Sequence, residues 1–147
     1  MTHPTESIEI KATADQVWQI LSDLPRLPEW YVPAQWMRII TDGPVKANWQ
    51  FVLGVKTLPG FVLDALGTVT TCDADTRTII WRGKAMGIEG DSRWQVTETD
   101  TGYAKLEHTF AGQGWLFFLS VNTGRNQLIM QQRLNNLKVL VETEQMV

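Results

Sequence analysis

Residues 8–23 decide the fold, and they read IEIKATADQVWQILSD. Ile8 and Ile10 alternate with charged residues, as the side chains of a half-buried strand do. Thr13 follows closely, and Gln16 comes three residues later, which is the spacing of a capping box at the start of a helix. The stretch therefore predicts a strand that runs directly into a helix.

The helix that begins at Thr13 is predicted to be short. Val17, Leu21 and Leu24 form its apolar stripe. We expect it to stop at Pro25, because a proline disfavours helical geometry in the residue before it. A second helical turn is predicted over residues 27–30, so two short helices follow the first strand.

Six further strand-like runs follow, and each is closed by residues typical of turns. They are Trp36–Thr41, Ala47–Thr57, Phe61–Cys72, Thr78–Met86, Ser92–Thr99 and Tyr103–Phe110. Parallel neighbours need long crossover connections, and the turns between these runs are too short for that. The runs therefore predict an antiparallel meander.

The last predicted element is a helix from about Thr123 to Glu144. Its apolar side is one stripe, formed by Met130, Leu134, Leu137 and Val141. A helix this long and one-sided needs a broad apolar surface, and the sheet is the surface available. The sequence thus predicts one α+β domain over residues 1–147, in which a curved antiparallel sheet of about seven strands wraps around the helix.

Composition narrows the classes of function. The chain has 147 residues and a formal charge of −3, which excludes the strongly basic surface of a nucleic-acid-binding protein. Cys72 is the single cysteine and there are two histidines, so neither an internal disulfide nor a four-ligand Cys/His zinc site is expected. The densest apolar run, Trp115–Leu119, is too short to span a membrane, and residues 1–9 do not resemble a signal peptide. We expect a cytoplasmic monomer or homodimer without a cofactor or metal.

The alternation of the strands places large aromatic side chains on the inward face. A mostly apolar lining with a few polar groups is typical of a small-molecule pocket. The predicted lining residues are Trp49, Phe51, Trp81, Trp94, His108, Phe110, Met130 and Leu134. The alternative is that the same residues form an ordinary hydrophobic core.

Three polar residues are candidates for contact with a ligand. His108 stands on an apolar face, where it would orient a ligand or act as a general acid or base near neutral pH; alternatively, the backbone or Tyr103 satisfies it within the core. Asp64 is either a buried carboxylate paired with His108 or a residue facing solvent. Arg133 either reaches an anionic group at the cavity mouth or extends to the surface. His108 and Asp64 are the candidates for catalysis, and neither is assigned that role.

Several stretches resemble the START-like (SRPBCC) superfamily, in its polyketide cyclase/dehydrase and lipid-transport branch. Residues 8–23, continuing to LPEW at residues 27–30, are similar to the opening of that family. Thr78–Gly83 resembles its mid-sheet strand, and Leu134–Glu142 resembles its closing helix. The resemblance covers essentially the whole chain as a pattern of elements and apolar positions.

The resemblance implies a helix-grip fold with a cavity between the sheet and the C-terminal helix. Members bind lipids, sterols, polyketides, quinones and similar apolar molecules, and a minority catalyse cyclisation, aromatisation or dehydration. It places the cavity entrance near Trp30 and Tyr31, which would either gate the cavity or simply pack there. Trp115, in the run Trp115–Leu119, is a further entrance residue if that run is a lid; the run could instead touch a membrane or pack under the last helix.

Three functions remain open at this point. The first is binding, transport or sensing of a small hydrophobic molecule such as a lipid, a polyketide or a quinone-like compound. The second is a cyclase or dehydratase in which His108 moves a proton. The third is a protein-interaction module that docks through Trp115–Leu119. Because the family has no universal catalytic motif, binding without catalysis is the preferred hypothesis.

Overall fold

The computed structural model describes residues 5–32, 34–58, 60–85, 87–113 and 125–145. The elements are β1 (Thr5–Ile10), α1 (Ala14–Leu21), a 3-10 helix (Leu24–Glu29), β2 (Ala34–Ile39), β3 (Gln50–Leu58), β4 (Phe61–Asp73), β5 (Thr78–Ala85), β6 (Ile88–Glu98), β7 (Ala104–Gln113) and α2 (Arg125–Gln145). The predicted order of strand, two short helices, six strands and long helix is confirmed.

The seven strands form one antiparallel sheet in the order β1-β7-β6-β5-β4-β3-β2. Strands β2 to β7 pair with their neighbours in sequence, so the predicted meander is confirmed. The first strand pairs with the last, with Ile8 opposite Leu106. This pairing brings both ends of the chain to the same side of the sheet, where α2 lies against β1. The arrangement is the helix-grip fold that the resemblance implies.

The entry into α1 follows the predicted capping box. Thr13 Oγ1 accepts a hydrogen bond from the backbone N–H of Gln16 at 3.1 Å, and Gln16 Oε1 accepts from the backbone N–H of Thr13 at 2.9 Å. The helix ends at Leu21, earlier than predicted, and Pro25 lies in the first turn of the 3-10 helix. A proline is tolerated there because the first N–H groups of a helix have no partner within the helix.

The apolar stripe of α2 is buried as predicted, since Met130, Leu134, Leu137 and Val141 are each at most 2% exposed. Polar contacts hold the other side of α2 to β1: Lys138 Nζ donates to the Glu9 carbonyl at 3.0 Å, and Glu142 Oε2 accepts from the Lys11 N–H at 2.8 Å. Neither described α-helix combines the length and the apolar character needed to cross a bilayer.

The two faces of the sheet alternate as the period of two predicts. The buried inward residues include Trp49, Phe51, Leu53, Ile79, Trp81, Trp94, Val96, Leu106 and His108. Phe110, predicted inward as well, is only partly buried. The inner face therefore carries the large side chains, and anything bound between the sheet and α2 has to meet them.

Candidate ligand-binding site

Three aromatic side chains cover the middle of the inner face. Phe51 of β3, Trp81 of β5 and Trp94 of β6 are each at most 3% exposed. Phe51 lies 6.2 Å from Trp81 between ring centroids, although β4 separates their strands. This reach is possible because Gly67 of β4 is the register partner of Phe51, and the Phe51 ring occupies the place of the missing side chain. The Trp81 and Trp94 rings are stacked at 6.1 Å.

Trp30 and Tyr31 cover these rings from the end of the 3-10 helix. The Trp30 ring meets Trp94 edge-on at 5.0 Å, and the Tyr31 ring meets Trp81 at 5.6 Å. Edge-to-face contacts of this kind are favoured between aromatic rings. We call the five residues Trp30, Tyr31, Phe51, Trp81 and Trp94 the aromatic cluster.

Of the two alternatives for Trp30 and Tyr31, burial favours packing over a role at the entrance. Trp30 is 1% exposed and Tyr31 is 7% exposed, so both belong to the interior wall. Their rings pack against the sheet because Trp81 and Trp94 offer a broad aromatic surface beneath them. Trp115, and with it the whole run Trp115–Leu119, lies outside the described residues.

His108 lies flat against the aromatic cluster. Its ring stacks on Trp94 at 3.7 Å with an angle of 6° between the planes. Nδ1 is 3.2 Å from the backbone carbonyl of Arg93. A carbonyl oxygen only accepts hydrogen bonds, so Nδ1 carries the proton and Nε2 presents a lone pair. Nε2 is buried and has no hydrogen-bond partner among the described residues.

Burial keeps His108 neutral. Loss of solvation, followed by the nearby positive charge of Arg133, lowers the pKa of His108 to about 3. The backbone contact with Arg93 is thus the partner of His108, while Tyr103 is 41% exposed and does not serve it. A histidine with this pKa is a weak base, so the expected acid or base role near neutral pH does not fit the protein in this state.

Of the two alternatives for Asp64, the one that places it facing solvent agrees with the structure, and the pairing with His108 does not. Asp64 is exposed, and it lies on β4, which β5 and β6 separate from β7. Its register partner is Gly54 of β3, on the outer face. The reason is strand alternation. Asp64 and buried Val69 are an odd number of residues apart on the same strand, so their side chains point to opposite faces of the sheet.

Arg133 of α2 is partly exposed, and its side chain lies against Val32 and Tyr31. Its Nε donates to the backbone carbonyl of Val32 at 2.6 Å, and its guanidinium carbon lies 4.0 Å from the centre of the Tyr31 ring. Loss of solvation is the main influence on its pKa, which it lowers. Arg133 forms no ion pair within the described parts of the chain.

Like His108 Nε2, one polar atom of the aromatic cluster has no hydrogen-bond partner among the described residues. Trp30 Nε1 is buried, and no described residue accepts its N–H. A buried donor or acceptor left unsatisfied costs about 1–3 kcal/mol. Trp30 and His108 both contact Trp94, so one unused donor and one unused acceptor face the same interior. Water or a polar group of a ligand is the expected partner.

Beside the aromatic cluster, a row of glycines crosses four strands. The register pairs Gly67 with Gly83, Gly83 with Gly90, and Gly90 with Gly112. Trp81 points to the inner face, and Gly83 lies two residues from it on β5, so Gly83 lies on the same face. The other three glycines are in register with Gly83 and therefore share the inner face. We call this set the glycine row.

The glycine row is covered at two of its positions and open at a third. The Phe51 ring covers Gly67, and Phe110 Cζ would lie 2.8 Å from a Cβ atom placed on Gly90. A Cβ atom placed on Gly83 would meet no heavy atom within 4 Å. The inner face therefore has open space next to Trp81, and this space is the candidate site.

A separate groove of about 510 Å³ lies outside the sheet, between α1 and the turns that precede β3 and β5. Trp18, Pro44 and Cys72 are among its lining residues. Burial, followed by the negative charge of Asp73, raises the pKa of the Cys72 thiol and so disfavours the thiolate. Within the described ranges, no three His, Cys, Asp or Glu side chains come together as metal ligands would.

Most of the residues predicted to line a pocket are buried, while their role in binding stays a prediction. Phe51, Trp81, Trp94, Met130 and Leu134 are buried as predicted. Trp49 is buried too, but its Nε1 donates to the Gly43 carbonyl at 3.2 Å, and it is therefore part of the packing at the end of β3. The glycine row was visible in the sequence only as one glycine in each of four successive strands.

The family model described as polyketide cyclase/dehydrase and lipid transport matches residues 1–142. The search of curated proteins finds no match. The Zhui aromatase/cyclase from Streptomyces sp. R1128 is 19% identical, with a TM-score of 0.73 over 96% of this chain and 93% of that chain. A START superfamily protein from Mycobacterium smegmatis is 16% identical, with a TM-score of 0.75 over 97% and 99% of the two chains. Truncated norcoclaurine synthase from Thalictrum flavum is 17% identical, with a TM-score of 0.70 over 95% and 92%.

Proposed function

The chain belongs to the polyketide cyclase/dehydrase and lipid-transport family, and on that premise we propose that it binds a small hydrophobic molecule between the sheet and α2. The observation that carries the proposal is the open space above Gly83, next to the aromatic cluster. Pockets for small molecules are mostly apolar and contain a few polar groups that orient the ligand. His108 Nε2 and Trp30 Nε1 are such groups, because they are buried and unused.

The residues that line this proposed site are the inward aromatic side chains and the buried stripe of α2. Phe51, Trp81 and Trp94 would form its floor, and the buried residues Met130 and Leu134 of α2 would contribute apolar side chains from the helix. Burial of an apolar ligand would contribute about 25 cal/mol for each Å² removed from water. His108 would accept a hydrogen bond from the ligand and thereby set its orientation.

A fluorescent probe tests this proposal. N-phenyl-1-naphthylamine is an uncharged apolar fluorophore. Adding it stepwise to the protein and following the tryptophan emission measures its binding. We expect saturable binding of one probe per chain. Gly83→Leu should weaken it by roughly tenfold or more, because a Cβ atom at this position meets no heavy atom within 4 Å and the rest of the side chain would extend into the proposed site.

Lys84→Leu is the matched control. It introduces the same side chain one residue later on β5, where Lys84 is exposed on the outer face. It should leave probe affinity unchanged. Equal effects of the two substitutions, or none from Gly83→Leu, would place the probe elsewhere and end the proposal.

A polyketide cyclase is the second candidate, and the proximity of Arg133 to His108 favours it. A cation beside a hydrogen-bond donor can stabilise an enolate as it forms, and the donor here would be the N–H of Trp30, because His108 Nε2 only accepts hydrogen bonds. The low pKa of His108, about 3, argues against its service as the general base. If the protein cyclises a synthetic linear poly-β-ketothioester, His108→Gln should abolish turnover. Under the binding proposal, the same substitution changes probe affinity only modestly.

A further inference from the structure

We propose that the ligand carries an acidic group, a carboxylate or an ionised phenol, which pairs with Arg133 while its apolar body rests on the aromatic cluster. The inference rests on the proposed function, because it names the chemistry of the molecule that the same site would hold. It is carried by the unused hydrogen-bond donors of Arg133, by the distribution of acids in the chain, and by the polar atoms around the guanidinium.

Arg133 has most of its donors free. A guanidinium has five N–H groups in a fixed planar fork. The Nε–H is used by the Val32 carbonyl, and the Tyr31 ring covers one face of the plane. The terminal nitrogens Nη1 and Nη2 have no hydrogen-bond partner among the described residues. Two terminal nitrogens in that fork match the two oxygens of a carboxylate.

No acid of the chain neutralises this charge. Asp and Glu number sixteen in the sequence, and all of them lie within residues 5–32, 34–58, 60–85, 87–113 and 125–145. None of these acids lies within ion-pair distance of Arg133. The residues outside those ranges, including 114–124, contribute no acidic side chain. The counter-charge for Arg133 is therefore expected from a bound molecule.

The Tyr31 ring and one carbonyl hydrogen bond do not replace an anion. The attraction between a cation and an aromatic ring is weak compared with a close ion pair. Arg133 is partly buried and loss of solvation lowers its pKa, so the ring and the carbonyl do not supply the negative partner that would favour the charged form. A bound anion would form an ion pair with Arg133, and this ion pair would contribute to the affinity for the ligand.

The neighbouring polar atoms extend the match. Trp30 Nε1 adds one more N–H donor, which suits an acceptor oxygen. His108 Nε2 is an acceptor, so it suits a hydroxyl of the ligand rather than the acidic group. The site thus combines one cation, one neutral donor and one neutral acceptor around an aromatic wall. An apolar acid that also carries a hydroxyl would satisfy all of them.

Matched pairs of probes test the inference by isothermal titration calorimetry. Naphthalene-2-acetic acid and 2-(2-naphthyl)ethanol share an aromatic body and differ in the acidic group, and dodecanoic acid and 1-dodecanol do the same for an alkyl chain. We expect each acid to bind at least about tenfold more tightly than its alcohol, because a hydrogen bond to a charged group contributes about 1.5–3 kcal/mol. The two pairs distinguish a planar ligand from a long-chain one.

Substitutions then assign the preference to one residue. Arg133→Met should reduce the affinity for the acid to that for the alcohol, and leave the affinity for the alcohol unchanged. Arg133→Lys keeps a positive charge without the fork, and it should retain part of the preference. Arg38→Met is the control for net charge, since Arg38 is exposed on β2, and both affinities should stay as in the unsubstituted protein.

The outcomes separate this inference from the proposed function. If acid and alcohol bind equally well, the protein has an apolar site and the role of Arg133 is refuted. If neither member of either pair binds, the proposed function fails and the inference fails with it. The comparison of acid with alcohol needs only the unsubstituted protein, so it remains decisive even if Arg133→Met does not fold.

Discussion

Several charged side chains on the outer face of the sheet are paired with opposite charges, whereas Arg133 on its inner side is not, in the part of the chain that the structure describes. On the outer face, Arg82 Nε lies 3.0 Å from Asp91 Oδ1, and its Nη1 lies 2.9 Å from Glu89 Oε1. On the inner side, Arg133 and His108 have no carboxylate among the described residues. Water already screens the outer charges, and the ion pairs there add little. The comparison shows that the chain pairs charges on the outer face, where an ion pair contributes little. On the inner side its described residues provide no carboxylate partner, and a ligand could take that place.

The largest effect that tests this comparison is the response of stability to acid. The pKa of His108 is about 3 in the folded protein against 6.5 in the unfolded chain. Above pH 6.5 the ring is neutral in both states, and the contribution of His108 to the free energy of unfolding is fully present. As the pH falls toward 3, the unfolded chain takes up a proton that the folded protein refuses, so stability is lost. Between pH 7 and pH 4 the loss from this group is on the order of 3 kcal/mol.

His108→Phe isolates that contribution. Urea unfolding at pH 7 and at pH 4 should show a smaller loss of stability in the variant, because phenylalanine does not titrate. The carboxylates of the outer face are common to both proteins and cancel in the comparison. Parallel stability profiles for the two proteins would mean that His108 is protonated inside the fold, and the contrast between the faces would disappear for this residue.

A pair of glycines gives the next effect. Gly67 is covered on the inner face by Phe51, which is fully buried, and Gly54 is covered on the outer face by Trp36, which is 41% exposed. We expect Gly67→Ala to lower the free energy of unfolding by about 2 kcal/mol, because the Phe51 ring cannot leave its place. Gly54→Ala should cost less, since Trp36 can swing into solvent.

Gly83→Ala completes the series as its control. Gly83 is the direct register partner of Gly67 and faces open space. Alanine there should be neutral, or should raise the free energy of unfolding by about 0.5 kcal/mol through the unfolded chain. Chemical denaturation of the three variants measures all of these values. A destabilisation by Gly83→Ala as large as that by Gly67→Ala would show that the space above Gly83 is filled.

The smallest effect concerns the two arginines themselves. Arg82→Met should lower the melting temperature slightly, as expected for loss of an exposed ion pair. Arg133→Met should leave the melting temperature of the ligand-free protein equal or slightly higher, because an apolar side chain replaces a cation without a counter-charge. Scanning calorimetry of both variants resolves the sign. A marked loss of stability for Arg133→Met would give this arginine a structural role.

The fold was predictable because its signals are local. The alternation of Ile8 and Ile10, the capping box at Thr13 and Gln16, and the turn residues between strands depend only on neighbours in sequence. They predict the elements and which side chains face inward. The identity of most wall residues follows from the same alternation, which is why Trp81 and Trp94 were found.

The chemistry of the candidate site was not predictable, because it depends on distances between remote segments. Alternation alone could have placed Asp64 outside, but its distance from His108 required the strand order. The burial of Tyr31 depends on a sheet surface 50 residues further along the chain, at Trp81.

The sequence by itself thus determined the elements, their order and the inward face of each strand, since these follow from the periodicity of strand and helix. Only the tertiary structure decided that Arg133 lies over Tyr31, that His108 is held neutral against Trp94, and that Gly83 is open beside Trp81. The physical reason is that register and packing set the solvation of each polar group. Solvation is a property of the surroundings, and a residue's surroundings are assembled from distant parts of the chain.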